Sequence, residues 1–320
     1  MTPTARQGIG HTAGWRAVDG VLLLDKPAGI TSSAAVQKIR RLFRAQKAGH
    51  TGTLDPMATG LLPICLGEAT KFSHFLLGAD KTYTATMRLG ITTSTGDLEG
   101  AVTARHDVRV ADADIMQALK AFSGEILQTP PMYSALKHDG QRLYKLARAG
   151  AEVPRAPRAI VIRRLELIGL DGDEVRVLVI CSKGTYVRVL AEDIGRALGC
   201  GACLSGLRRD AVGEFRLSGR AVTLERLEQA APDERDTLLL PEDALVSYLP
   251  RVDLDPRTAL RLSQGQSVAH SAAQSVGLAR VYGPGGAFMG VAETVAEGEI
   301  VPRRLVSKAR AAAVKQPSIA

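Results

Sequence analysis

The chain is poor in cysteine, has no long apolar run and carries no hydrophobic stretch near its start, and each shortage removes a class of protein. Cys65, Cys181, Cys200 and Cys203 are the only cysteines in 320 residues. Their uneven spacing is no disulfide framework, and it fits a reducing cytoplasm. No stretch approaches the run of about 18 apolar residues that a membrane span requires. Residues 1–14 hold Arg6, His11 and scattered glycines without an apolar segment, so no secretory signal is expected. His50 has no second histidine or cysteine at ligand spacing nearby, which speaks against a metal centre.

What is present is enough apolar sequence, 45% of residues, to bury a full core, and a length that fits one large domain plus a small one. The net charge of +8 gathers in clusters such as Lys38-Ile39-Arg40-Arg41, Arg163-Arg164, Arg208-Arg209 and Arg303-Arg304. Clusters in separate parts of the chain predict a broad basic face suited to a phosphate backbone. Solubility alone would use the same charge.

The stretch Gly49-His50-Thr51-Gly52-Thr53-Leu54-Asp55-Pro56-Met57-Ala58-Thr59-Gly60-Leu61-Leu62-Pro63 is the organising piece. Glycine, proline and threonine around one histidine and one carboxylate make a loop. The apolar residues that follow anchor it on a core. Asp55, set by the next proline, is either a reactive group or a turn aspartate bonding its own backbone.

Around that loop the pattern is mixed. Val21 to Leu24 read as a buried strand, and Val36, Ile39, Leu42 and Phe43 recur at helical spacing after N-cap residues at 31–33. Residues 68–77 are expected to be helical. Residues 81–89 alternate strictly, with Tyr83, Ala85, Met87 and Leu89 on one face. Residues 90–100 read as a turn-like segment carrying Asp97, 111–122 as a helix and 128–133 as an irregular loop. Residues 159–170 and 174–181 predict a hairpin across Asp171-Gly172-Asp173. Ser182-Lys183-Gly184-Thr185 then turns into a helix ended by Gly199. Arg188 lies in its first turn, where the helix dipole disfavours a cation, and such a broken rule marks an ion pair or a function. Residues 225–249 read as a closing helix and linker. A compact unit of short helix and strands follows, too small to stand without docking on the main body.

Leu22-Leu23-Leu24-Asp25-Lys26-Pro27-Ala28-Gly29, the Gly49-to-Pro56 loop, Lys81-Thr82-Tyr83, Cys181-Ser182-Lys183-Gly184-Thr185-Tyr186-Val187-Arg188 and Leu207-Arg208-Arg209 form an ordered set. Together they resemble the bacterial TruB family of tRNA pseudouridine synthases over residues 20–306. The resemblance implies a mixed α+β catalytic domain at 18–247 with a bent, largely antiparallel sheet. A small β-rich PUA-like RNA-binding domain follows at 248–307, with flexible tails at 1–17 and 308–320. It also implies isomerisation of the uridine at position 55 in the T loop of tRNA, with the tRNA T arm as partner. That reaction gains no atom and needs no cofactor, and no metal is expected. The cysteine usage fits the cytoplasm, and with no spare apolar face a monomer is expected.

Residue by residue, Asp55 matches the family's catalytic aspartate. Arg188 matches the arginine that pairs with it, an ion pair expected to fix the carboxylate bidentately. Asp97 stands where the family has a second carboxylate of the same network. Tyr83 matches the residue that stacks on the target uracil and is the candidate base for the C5 proton; without the resemblance it is a cross-strand packing aromatic. Tyr186 and Leu207 match residues lining the base pocket. His50 matches the histidine that fills the gap left by a flipped base. Lys26 and the basic helix at 32–47 are candidate phosphate contacts. Cys200-Gly201-Ala202-Cys203 departs from the family, which commonly has histidine at the second cysteine, and with no second pair it reads as inert. A non-catalytic RNA-binding or RNA-folding module and a nucleoside hydrolase are the competing readings.

Overall fold

The computed structural model describes residues 14–269, 276–295 and 298–307. The expected tails at 1–13 and 308–320 lie outside the described residues. The body is a ten-stranded sheet. Its strands lie in the order Val222–Thr223, Gly20–Lys26, Thr59–Leu66, Ala202–Val212, Lys81–Leu89, Glu174–Cys181, Arg158–Asp171 and Gly124–Gln128. Ala48–His50 and Phe215–Arg216 pair off this path. The pairings are antiparallel except where Val222–Thr223 meets Gly20–Lys26, and where Thr59 and Gly60 run beside Arg208 and Arg209.

Both faces of Gly20–Lys26 and Thr59–Leu66 are covered, which explains their continuous apolar sequence. Leu22 and Leu24 belong to one core with Ala35, Val36 and Ile39 of the Ser32–Leu42 helix and Leu190 and Ile194 of the Val187–Ala197 helix. Val21 and Leu23, one residue out of step, belong to a second core on the opposite face. That second core continues through Phe72 and Leu76 into Val281, Phe288 and Val291. Lys81–Leu89 obeys the alternation, with Tyr83, Ala85, Met87 and Leu89 buried.

The C-terminal part is a five-stranded sheet ordered Arg251–Asp253, Gly277–Gly283, Ala287–Thr294, Glu299–Leu305 and Val268–Ala269, beside the Pro256–Ser263 helix. It docks on the body through Phe72 and Phe288, with ring centroids 5.3 Å apart, and through Lys71, which donates to the Leu305 carbonyl at 3.1 Å.

Three expectations change, and one strand appears where none was expected. Residues 68–77 divide into a 3-10 turn, Gly67–Phe72, and a short α-helix, Ser73–Leu77. The segment at 90–100 begins a small hairpin, Ile91–Thr93 with Val102–Arg105. Gly124–Gln128 is an edge strand that had no strand pattern. Residues 14–17, expected in a flexible tail, are pinned: the Arg16 amide donates to the Arg44 carbonyl at 2.6 Å, and the Arg16 guanidinium pairs with Asp236.

Candidate active site

The 51–58 loop leaves the Ala48–His50 strand and returns on Thr59–Leu66, and buried polar side chains fix it from three sides. Ser32 Oγ donates to the Leu54 carbonyl at 2.9 Å and accepts from the Leu54 amide at 2.7 Å. Arg209, 1% exposed, donates to the carbonyls of Leu61, Thr53 and Gly52 at 2.8, 3.3 and 3.1 Å. Gly60 lets the two chains meet: its φ is +100°, and a Cβ there would stand 2.3 Å from the Arg209 carbonyl oxygen. Lys26 Nζ donates to the carbonyls of Pro27, Ile30 and Pro56 at 2.8, 2.8 and 3.3 Å.

Lys26 corrects the sequence reading. Its side chain is fully buried and its ammonium is committed to carbonyls, so it braces the residue after Asp55 and is no phosphate contact. A charged group is buried here because three carbonyls replace its water.

Asp55 Oδ2 accepts from Arg188 Nε at 2.8 Å, and the same Nε lies 3.6 Å from Asp97 Oδ2. The Arg188 and Asp97 side chains are 5% and 6% exposed, whereas Asp55 is 35% exposed. Only Asp55 of the three is open to a substrate. The expected bidentate clasp is a single contact, because the other guanidinium nitrogens are engaged elsewhere: Nη1 donates to the Thr95 carbonyl at 2.6 Å and Nη2 to the Tyr133 carbonyl at 2.8 Å. Asp97 is held in turn, accepting from Thr95 Oγ1 at 2.5 Å and from the Glu99 amide at 3.1 Å. The cation that breaks the dipole rule at a helix start therefore sits between two carboxylates.

Tyr83 is buried on its strand, opposite Val179 on one side and Arg209 on the other. Burial pushes its phenol up, with the Asp55 charge adding to the rise and Arg209 opposing it. It is a neutral phenol near pH 7. Tyr186 precedes the Val187–Ala197 helix, where its amide donates to Gln128 Oε1 at 2.8 Å and its carbonyl accepts from Gln128 Nε2 at 3.1 Å. Burial likewise raises Tyr186, and Asp55 adds to it. Leu207 is half-buried opposite Ala85, two residues along the strand from Tyr83. His50 ends the strand before the loop, and its Nδ1 accepts from the Gly52 amide at 3.2 Å. Burial, then Arg209 and Arg142, lower its pKa, so the ring is neutral.

The four cysteines are buried free thiols, and burial pushes Cys65 up to about 12 and Cys203 up to about 11. Ser32, Arg209 and Gln128 were missed as site residues. The Leu207-Arg208-Arg209 motif held the second of them, but nothing in it says that the guanidinium points inward.

Ser32 yields a prediction. Ser32→Ala leaves both backbone groups of Leu54 unpaired in a buried position. We expect a loss of about 1–3 kcal/mol in urea unfolding and a fall in kcat larger than the change in KM. Unchanged kcat and stability would show that the loop holds its shape without the serine.

The two buried lysines set a pH dependence. Burial lowers Lys26 and Lys81 from an ordinary 10.5 to about 8 in each case. The unfolded chain therefore holds more protons between pH 8 and 10.5, and stability rises with pH across that window. The penalty, up to about 3 kcal/mol per lysine below pH 8, disappears by pH 10.5. Urea unfolding from pH 7.5 to 10 should show the parent gaining stability relative to a Lys26→Met, Lys81→Met variant; a constant difference would contradict the assignment.

The sheet carries an aspartate loop clasped by a buried arginine. It superposes on solved structures described as a Cbf5-Nop10-Gar1 complex (TM-score 0.70, 27% identity, 92% of this chain and 87% of that one) and an archaeal box H/ACA sRNP Nop10-Cbf5 complex (TM-score 0.68, 25% identity, 93% and 89%). The TruB family pseudouridylate synthase N-terminal domain matches residues 40–187, the tRNA pseudouridylate synthase B C-terminal domain 188–247, and the Pseudouridine synthase II TruB C-terminal domain 250–306. Relatives called tRNA pseudouridine synthase B include those of Aromatoleum aromaticum, 58% identical over 91% of this chain and 94% of that protein, and Methylobacillus flagellatus, 53% identical over 92% and 97%. The chain belongs to the TruB family of pseudouridine synthases.

Proposed function

We propose that the protein isomerises the uridine at position 55 in the T loop of tRNA to pseudouridine, as a monomer in the cytoplasm. Asp55 is the reactive group. The observation that carries this reading is the Asp55–Arg188–Asp97 cluster: one accessible carboxylate held by a buried guanidinium that a second, buried carboxylate backs.

The reaction breaks C1′–N1, forms C1′–C5, removes the proton on C5 and gives one to N1, so no redox partner is needed. Asp55 attacks or assists at the ribose or the uracil, and Arg188 holds it in place through the step. Uracil departs as a delocalised anion, so one carboxylate suffices where a glycosidase uses two. Tyr83 stacks against the base. Its un-ionised phenol can only relay: it takes the C5 proton as it passes its own to the released Asp55 carboxylate, and N1 takes a proton from solvent. Tyr186 and Leu207 wall the base pocket. The target must leave the T-loop stack at a cost of a few kcal/mol, and the neutral, planar His50 ring fills the gap.

The body at 18–247 is the catalytic domain, and the unit at 248–307 is a PUA-like RNA-binding domain. The names of the relatives, and a 25% identical neighbour described as an H/ACA RNP bound to a substrate RNA, support an RNA substrate. Carbodiimide mapping of a tRNA transcript after incubation tests the position: the modified residue should be uridine 55, and replacing it by cytidine should abolish product. Modification elsewhere in that tRNA would overturn the assignment.

A further inference from the structure

At the far end of the Ser32–Leu42 helix from the aspartate loop lies a second basic feature. A cavity of about 410 Å³ is lined by Arg16, Lys38, Arg41, Arg44, Arg235 and two apolar residues, Leu42 and Pro232. Among the described residues five cations line it and no carboxylate does. Two are partly neutralised from outside, Arg16 by Asp236 and Lys38 by Glu228. Arg235 caps the helix, donating to the Leu42 carbonyl at 3.0 Å and to the Leu227 carbonyl at 2.7 Å. A helix C-terminus attracts cations through its dipole, but one capping arginine already meets that need.

Arg44 points beyond helix capping. The helix closes with the Ala45 amide donating to the Arg40 carbonyl at 2.9 Å and the Arg44 amide to Arg41 at 3.0 Å. That pair of bonds puts the residue after the cap in the left-handed region, a place that favours glycine. Here it is arginine, with φ +51°. Its Nη2 donates to the Gly14 carbonyl at 2.6 Å, while its Nε is buried without a hydrogen-bond partner among the described residues. An unfavourable backbone conformation and an unsatisfied donor are both kept to hold a guanidinium at this cavity. Arg41, one turn back, is exposed beside it.

We infer that this cavity is a phosphate-binding site, accepting one phosphate group between Arg41 and Arg44 with Arg16 and Lys38 at its rim. Guanidinium groups suit phosphate oxygens, and Arg41 and Arg44 both line the cavity. The helix of 11 residues is about 16 Å long. A phosphate held here therefore lies away from the reacting base, and an RNA backbone that reaches it extends beyond the target nucleotide. The RNA source of the phosphate rests on the proposed tRNA substrate; the site itself does not.

The test uses full-length chains carrying Arg44→Gly, which suits the left-handed position, and Arg41→Gln. We expect each to melt within a few degrees of the parent, to bind full-length tRNA about tenfold more weakly at low salt, and to show a salt dependence shallower by about one in log–log slope. In a second arm, tripolyphosphate should raise the parent's melting temperature more than either variant's. Weaker tRNA binding identifies the phosphate as one of the RNA backbone. A tripolyphosphate effect with tRNA binding unchanged identifies a free phosphate ligand. Unchanged tRNA affinity and slope in both variants, with no stabilisation of the parent by tripolyphosphate, would overturn the site. Turnover of the same tRNA by the parent reports separately on the proposed reaction.

Discussion

Replacing Asp55 by asparagine should abolish turnover, lowering kcat by about 10⁴-fold or more, the scale on which a central catalytic group acts. The amide is nearly isosteric, and its oxygen can still accept from Arg188 Nε, which now lies 2.8 Å from the carboxylate. The loop does not depend on the charge, because Ser32, Lys26 and Arg209 hold Leu54, Pro56, Gly52 and Thr53 through backbone atoms. Folding and tRNA affinity should therefore stay near those of the parent while chemistry is lost. Single-turnover assays beside a binding titration separate the two. A protein that binds RNA without turning it over would bind equally well in both forms and be active in neither.

Arg188 should have the second-largest effect, and it should appear in stability as well as rate. Arg188→Met removes the cation between Asp55 and Asp97 and leaves the carbonyls of Thr95 and Tyr133 without their donors. Asp97 is then an uncompensated buried charge, and breaking such a pair costs about 3–5 kcal/mol. Arg188→Lys restores the charge but not the three directions in which this guanidinium donates. We expect the lysine variant to recover much of the stability in urea unfolding and little of the rate. Full recovery of rate by lysine would show that charge alone, and not the fixed fork, positions Asp55.

These residues show how far the sequence could be read. The strict alternation at 81–89 and the apolar run at 21–24 identified two central strands, since sheet burial leaves that imprint directly. Asp55, Arg188 and Asp97 became a cluster only through the family resemblance, because they lie in three segments that the fold brings together. Lys26 was misread for a related reason: its three carbonyl partners come from Pro27, Ile30 and the distant Pro56, and no pattern along the chain shows that they converge. Arg209 was hidden in the same way. The Gly124–Gln128 strand gave no signal because it is a sheet edge with Leu127 largely exposed, so neither face of it carries a core pattern. Arg44 is the opposite case, since only the backbone conformation shows that an arginine holds a position suited to glycine.

The central claim is that this site moves the bond of a uridine from N1 to C5 through Asp55. The most direct test is tritium release from C5-labelled uridine in a T-arm stem-loop RNA, with parent and Asp55→Asn protein side by side and free uracil assayed in the same samples. The account predicts tritium release by the parent alone, with no free uracil. Release of free uracil, equal tritium release by the asparagine form, or none by the parent despite tight binding would contradict it.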